Sequence, residues 1–217
     1  MSFDIDQYFN KIIEEFQVLS HVNPVDLPNI DLYMDQVTTF MDTKLASTKR
    51  NPEDKILTKT MINNYAKNNV LPAPVKKKYS KEHMLMLIFI YYFKSMISIT
   101  DIKTLFQPMS DHFFNNDKGL NIEDIYNVIY KNCKADLDSI SADIKKKFEE
   151  SKDNFTEESG KSKEYLQLYS FVCSMAFDVY IKKLLIEQII DGYFEDYSSK
   201  KEQKASNKEK PQGRPKK

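Results

Sequence analysis

The 217-residue chain has no formal net charge at pH 7, because 32 Lys and Arg residues balance 32 Asp and Glu residues. Hydrophobic residues make up 41% of it and only four glycines are present, which favours a globular helical protein over a β-sandwich or barrel. The two cysteines, Cys133 and Cys173, stand alone in apolar helical patterns. We therefore expect free thiols in a reducing cytoplasm rather than a disulfide.

Apolar residues recur at helical spacing in the first part of the chain. They predict a helix over residues 3–19, a break at Pro24 and Pro28, and a second helix from about Leu32 to Leu45. After a polar loop, Thr58 is a predicted N-cap for a helix of about nine residues. Three residues of this short helix are predicted to face the core: Ile62, Tyr65 and Ala66.

A basic, proline-containing loop follows the short helix. Pro72 and Pro74 are predicted to end that helix, and three consecutive lysines occupy positions 76–78. Ser80 is predicted to begin a longer helix that runs to about Met96, with His83 at the position where a capping box has Glu.

The remaining chain is also predicted to be helical. Ser98 or Thr100 caps a short helix that Pro108 is expected to close, and residues 122–150 form one or two helices. A long helix over residues 165–193 is apolar over a wider arc than one core face requires.

These elements predict an all-α protein of four parts. Residues 1–28 hold an N-terminal helix and linker, and residues 29–108 form a compact helical unit. Residues 109–198 form a C-terminal helical region for dimerisation or effector binding, and residues 199–217 form a disordered basic tail.

The zero net charge conceals a separation of charge along the chain. Lys49 to Lys103 holds eleven basic and four acidic residues, a net of +7, and Lys200 to Lys217 holds eight and two, a net of +6. The rest of the chain therefore carries −13. Separated basic segments are candidate nucleic-acid contacts, while the acidic remainder would face away from phosphate.

The short helix and the lysine loop could together contact double-stranded DNA. Asn pairs with adenine in the major groove, Thr and Lys reach base edges or phosphates, and loop lysines hold the flanking backbone. The residues predicted to face the major groove are Lys59, Thr60, Asn63, Asn64 and Lys67. Those predicted to contact the backbone beside it are Lys76, Lys77, Lys78 and Tyr79. The alternative is a solvated polar helix on a protein-interaction domain.

The order of short helix, basic loop, long helix and short helix resembles the MerR-type winged helix-turn-helix. The segments LTKTMINNYAKNNVLP, KKKYSKEH and ISITDI resemble more closely the bacterial family catalogued as domain of unknown function 1836, over about residues 30–108. The resemblance implies a DNA-binding fold and a homodimer joined by a C-terminal helix. Thr60 and Asn63 stand where MerR-type recognition helices usually carry arginines, and the loop from Ala46 to Leu57 is longer than usual.

The end of the chain resembles an AT-hook, which lies extended in a narrow A·T minor groove. Its predicted DNA contacts are Gly213, Arg214, Pro215 and Lys216. A lysine tail that only increases solubility is an equally good interpretation.

No sequence pattern indicates chemistry. His21, His83 and His112 lie far apart, and neither a metal-binding pattern nor a glycine-rich phosphate loop is present. The acidic N-terminus does not resemble a secretion signal, and the apolar run from Met84 to Phe93 is too short to span a membrane. We therefore predict a cytoplasmic, nucleoid-associated protein with no cofactor, no metal and no enzymatic activity.

The sequence thus predicts a sequence-specific transcriptional regulator that binds double-stranded DNA, with a homodimer and an unknown small-molecule effector as its expected partners. Packing of the long C-terminal helix within one chain is the alternative to the dimer. Two further functions remain open: a helical protein-interaction adaptor without DNA binding, and a non-specific architectural DNA binder that acts through the basic tail.

Overall fold

The computed structural model describes residues 5–18 and 22–194. Helices dominate it, which confirms the predicted all-α class at that level. In the described residues seven α-helices follow one another: α1 (Ile5–Val18), α2 (Met34–Lys44), α3 (Lys59–Lys67), α4 (Lys81–Phe93), α5 (Ile99–Phe113), α6 (Ile122–Lys152) and α7 (Gly160–Ile189). Short 3-10 turns lie at Pro24–Asp26 and Ala46–Thr48, and a π-helical turn, Ile190–Phe194, ends the described chain.

Two short strands, β1 (Leu32–Tyr33) and β2 (Lys78–Tyr79), pair in an antiparallel sheet. The predicted helix over 32–45 therefore starts two residues later than expected. Tyr33 is extended, with φ −76° and ψ 158°, and its N–H donates to Oε1 of Gln36 at 2.8 Å. This bond satisfies one free donor at the start of α2, so helical geometry begins only at Met34.

Helix α4 lies at the centre of the core, since eight consecutive residues from His83 to Ile90 are buried. His83 takes the part that Glu plays in a capping box, because its Nδ1 accepts a hydrogen bond from the Ser80 N–H at 3.0 Å. The predicted inward residues of α2 and α3 join the same core, with Val37, Met41 and Ile62 fully buried.

Helix α5 continues through Pro108 to Phe113, so the prediction that Pro108 closes the helix is wrong. A proline cannot donate to the carbonyl one turn earlier, which weakens the helix at that point. Packing offsets this loss, because Phe106 is buried before Pro108 and Met109 and Phe113 pack against the core after it. Ser98, rather than Thr100, is the N-cap of α5 and accepts from the Asp101 N–H.

Helices α6 and α7 pack against each other, and α1 packs against α6. Residues 122–152 form one helix rather than two. Three phenylalanines join the helices: the ring of Phe148 lies 3.8 Å from that of Phe9 and 5.4 Å from that of Phe171, measured between centroids. Lys147 adds an ion pair with Asp178. None of the helices in the described residues is long and apolar enough to cross a bilayer.

Candidate nucleic-acid interface

Helix α3 presents one face to the core and the other to solvent. Thr58 caps it as predicted, with Oγ1 accepting from the Met61 N–H at 3.2 Å. Ile62 and Tyr65 are buried and Ala66 is half-buried, which holds the helix against the core. All five residues predicted to face the major groove are exposed: Lys59, Thr60, Asn63, Asn64 and Lys67.

The predicted lysine loop forms a tight hairpin turn. The Val75 N–H donates to the Lys78 carbonyl at 3.1 Å, and the Lys78 N–H donates back at 2.9 Å. Lys76 and Lys77, the two residues between, have positive φ values of 51° and 64°. Two consecutive left-handed residues give the turn geometry that favours Asn-Gly in hairpins, and non-glycine side chains are strained there. This lysine turn therefore projects two charged side chains from a strained backbone.

The lysine turn and α3 flank the same end of α2. Nζ of Lys78 lies 5.2 Å from the centroid of the Tyr33 ring, directly before α2. Lys59, at the start of α3, forms an ion pair with Asp35 in the first turn of α2. Tyr33, which is 54% exposed, was not predicted to belong to this surface, because the apolar spacing predicted that it lies inside the second helix. The strand has only two residues, with Leu32 buried and Tyr33 exposed, which is too short for a sequence pattern to indicate.

Tyr79 is the one predicted contact within the described residues that cannot face DNA. Its side chain is 2% exposed, and its ring lies edge-on to that of His83, with 5.5 Å between centroids. Burial also raises the pKa of the Tyr79 hydroxyl. The alternation of side chains along a strand turns Tyr79 inward when Lys78 turns outward. Tyr79 therefore belongs to the core and not to the predicted interface.

The predicted lysines differ in how free they are to bind phosphate. Lys59 is paired with Asp35, whereas Lys67, Lys76 and Lys77 form no ion pair with any carboxylate of the described residues. A groove beside the start of α3 is bordered by three further carboxylates: Asp42, Glu53 and Asp54. Lys49, Lys55 and Lys59 line the same groove, and Lys49 pairs with Asp42, so charges of both signs meet at the N-terminal end of α3. Among the described residues, Lys67, Lys76 and Lys77 have no such acidic partner.

The two remaining predictions concern the AT-hook at the end of the chain and metal binding. The predicted AT-hook contacts, Gly213, Arg214, Pro215 and Lys216, lie outside the described residues. Within residues 5–18 and 22–194, no group of three His, Cys, Asp or Glu side chains could hold a metal ion. The buried His83 instead has its pKa lowered by desolvation, which favours the neutral imidazole that accepts from Ser80.

The geometry defines a class: a helical domain in which an exposed polar helix and a basic hairpin turn flank a small sheet above a buried central helix. Residues 22–129 match the model of the family described as Domain of unknown function (DUF1836). No match was found among curated proteins or among solved structures.

The family resemblance predicted over about 30–108 is confirmed, and the matched segment extends beyond it at both ends. Packing gives a reason for the wider extent. The Tyr126 hydroxyl donates to the Val22 carbonyl at 2.7 Å, which joins a residue near the end of the segment to its first residue. Val22, Ile122 and Tyr126 all belong to the core built around α4.

Proposed function

We propose that this chain is a sequence-specific DNA-binding transcriptional regulator whose domain is a MerR-like winged helix-turn-helix. In this proposal α3 is the recognition helix, and the lysine turn at Lys76 and Lys77 is the wing. The observation that carries the proposal is this turn, whose two lysines stand on a strained backbone and form no ion pair within the described residues. The turn and α3 both border the start of α2. Strain at an exposed turn indicates a functional role, and lysines there are suited to bind phosphate.

The proposal divides the DNA contacts into two groups. Thr60, Asn63 and Asn64 read base edges, because amide and hydroxyl groups distinguish bases in the major groove. Lys67, Lys76 and Lys77 bind phosphates and set the position of the helix without reading sequence. Lys59 contributes less than these three, since it must first leave Asp35.

The proposed regulator is a homodimer joined by α7. This helix has no buried residue, and eleven of its large apolar side chains are exposed. A surface of this kind, on a helix of 30 residues, is large enough to mark an interaction site. Two copies related by a two-fold axis would read two half-sites, so the operator is expected to be nearly palindromic.

A fluorescence-anisotropy titration tests the proposal. The full chain is titrated against duplex DNA from its own promoter and against a scrambled duplex of equal A·T content, at two salt concentrations. Tighter binding to the promoter, with a steep loss at the higher salt, is the expected result. Equal binding to both duplexes would contradict sequence-specific recognition.

Three variants with a matched control separate the functions left open. Asn63→Ala should cost about 1–3 kcal/mol at one base position, and Lys77→Ala should weaken all sequences alike and reduce the salt slope by about one. Lys145→Ala removes an exposed lysine on α6 and should change neither. If only Arg214→Ala weakens binding, the chain is an architectural binder. If no DNA is bound and no variant has an effect, it is an adaptor.

A further inference from the structure

A cavity of about 480 Å³ lies between α4, α5 and α6 and is bordered by Phe194 at the end of the described chain. Eight of its fourteen described lining residues are aromatic and none is charged. This size lies within the range of small-molecule sites, which are mostly apolar and aromatic. The cavity lies away from the lysine turn and α3, none of whose residues line it.

The aromatic rings around the cavity pack against one another. The centroid of Phe89 lies 5.0 Å from that of Tyr126 and 6.3 Å from that of Phe106, in tilted and edge-to-face arrangements. Tyr126 stacks on Tyr130 with an interplanar angle of 16°. Such a cage offers ring faces and edges to a guest in the geometries that aromatic pairs prefer.

Burial keeps the hydroxyl groups of Tyr92 and Tyr126, which both line the cavity, in their neutral form. Tyr126 donates its hydroxyl to the Val22 carbonyl, and burial raises its pKa. Burial likewise raises the pKa of Tyr92 to about 12. A charged guest would lose its hydration in this cavity without gaining a charged partner, which is strongly unfavourable.

The segment of α5 beyond Pro108 completes the wall. Met109 and Phe113 line the cavity together with Pro108 itself. Had the helix ended at Pro108, this side would be open. The methionine side chain is flexible and polarisable, so it can adapt to guests of different outline.

We infer that this cavity is a binding site for a single uncharged, mainly aromatic small molecule. The inference goes beyond the proposed function and does not depend on it, because ligand binding is measured without DNA. A guest of this kind makes dispersion contacts with the rings that face the cavity.

The test uses N-phenyl-1-naphthylamine, an uncharged aromatic probe whose fluorescence rises in apolar surroundings, with the full chain. Ile129 lines the cavity at its open side and is 40% exposed, whereas its neighbour Val128 does not line the cavity and is 60% exposed. Wild type and Val128→Trp should bind one probe per chain with equal affinity. Ile129→Trp, which fills the cavity, should bind at least about tenfold more weakly. Absence of a fluorescence rise in the wild type would overturn the inference. Equal binding by Ile129→Trp would also overturn it, because the probe would then be bound at the exposed face of α7.

A second measurement does not depend on how Ile129→Trp folds. Cys133 lines the cavity, and Cys173 lies on α7 away from it. In a Cys173→Ser chain, the probe should slow the reaction of Cys133 with a disulfide reagent about tenfold when nine-tenths of the sites are filled. In a Cys133→Ser chain, Cys173 should react at a rate that the probe does not change. Equal rates for Cys133 with and without the probe would refute the site.

Discussion

Helices α4 and α7 are both apolar around most of their circumference, yet they have opposite surroundings. In α4, the residues from His83 to Ile90 are all buried. In α7, no residue is buried, and Tyr165, Phe177 and Leu185 are each more than half exposed. Helix α4 is enclosed by strands and helices of its own chain, whereas α7 is covered on one side by α6.

The apolar surface of α4 is buried within its own chain, whereas that of α7 would be covered by a second copy in the homodimer proposed above. The spacing of apolar residues in the sequence indicates only that both helices must pack against other surfaces. Smaller features differ in the same way. The Ser80 N–H at the start of α4 is bonded by Nδ1 of His83 in the same chain, while the lysines of the turn point outward without a partner among the described residues. Changes in the first group should cost stability, and changes in the second group should cost binding.

The largest expected effect on stability lies in α4. Leu87 is fully buried, so Leu87→Ala should lower the free energy of unfolding by about 2–5 kcal/mol through lost burial and a residual cavity. Leu185→Ala on α7, where the side chain is 56% exposed, is the matched control and should cost far less in the monomer. Urea unfolding at low protein concentration measures both. Equal losses would show that α7 is covered by its own chain after all.

The next effect concerns association through α7. Phe177 is 63% exposed, and a charge buried there between two copies would lack a partner. Phe177→Glu should therefore weaken the dimer at least about 100-fold, which corresponds to about 2.7 kcal/mol. Phe177→Leu keeps the site apolar and should stay dimeric. Sedimentation velocity over a range of concentrations distinguishes them, and a monomeric wild type would refute the proposed dimer.

The helical elements could be predicted because their signals are local. Apolar spacing gave the inward residues of α2 and α3, and Thr58 and Ser80 marked helix starts that the structure confirms. The family resemblance was carried by short segments of the domain. These features depend on neighbouring residues in the chain, so one sequence is enough to find them.

The features that could not be predicted depend on tertiary packing. Pro108 usually ends a helix, but contacts of Phe106 and Met109 with the core keep α5 intact. No Asn-Gly pair marks the lysine turn, whose left-handed geometry follows from the pairing of Lys78 with Val75 and Tyr33. The cavity depends on how three consecutive helices, α4, α5 and α6, cross one another and place their rings together, which local spacing does not determine.

The lysine turn offers a change that should separate stability from binding. Replacing Lys76 by Asn and Lys77 by Gly keeps the turn and relieves strain, so the free energy of unfolding should rise by about 1–2 kcal/mol. Under the proposed function, the same variant should bind DNA more weakly, because it would lose the two phosphate contacts proposed for Lys76 and Lys77. Urea unfolding and anisotropy measure the two effects.

A control at the same positions replaces both lysines by arginine, which keeps charge and strain. It should leave stability unchanged and retain DNA binding. If the Asn-Gly variant is more stable and binds DNA as well as the wild type, the turn does not contact DNA.

The smallest effect is expected at the His83 cap and depends on pH. Burial lowers the pKa of His83 in the folded chain below its ordinary value of 6.5. The unfolded chain therefore takes up a proton first as the pH falls. The stability that neutral His83 supplies is fully present above about pH 6.5 and is lost as the pH decreases from there towards the folded pKa. Protonation also removes the acceptor, Nδ1, that bonds the Ser80 N–H.

His83→Gln tests this because Gln can accept the same hydrogen bond but does not titrate. At about pH 7.5 the variant should be less stable than the wild type, since Gln replaces a ring that packs edge-on against Phe114, with 4.7 Å between centroids. Between about pH 7.5 and 5.5 the wild type should lose more stability than the variant, as measured by urea unfolding. All carboxylates are the same in the two chains, so the comparison isolates the effect of residue 83. Parallel pH profiles would show that His83 is not held neutral by burial and that the cap works in either charge state.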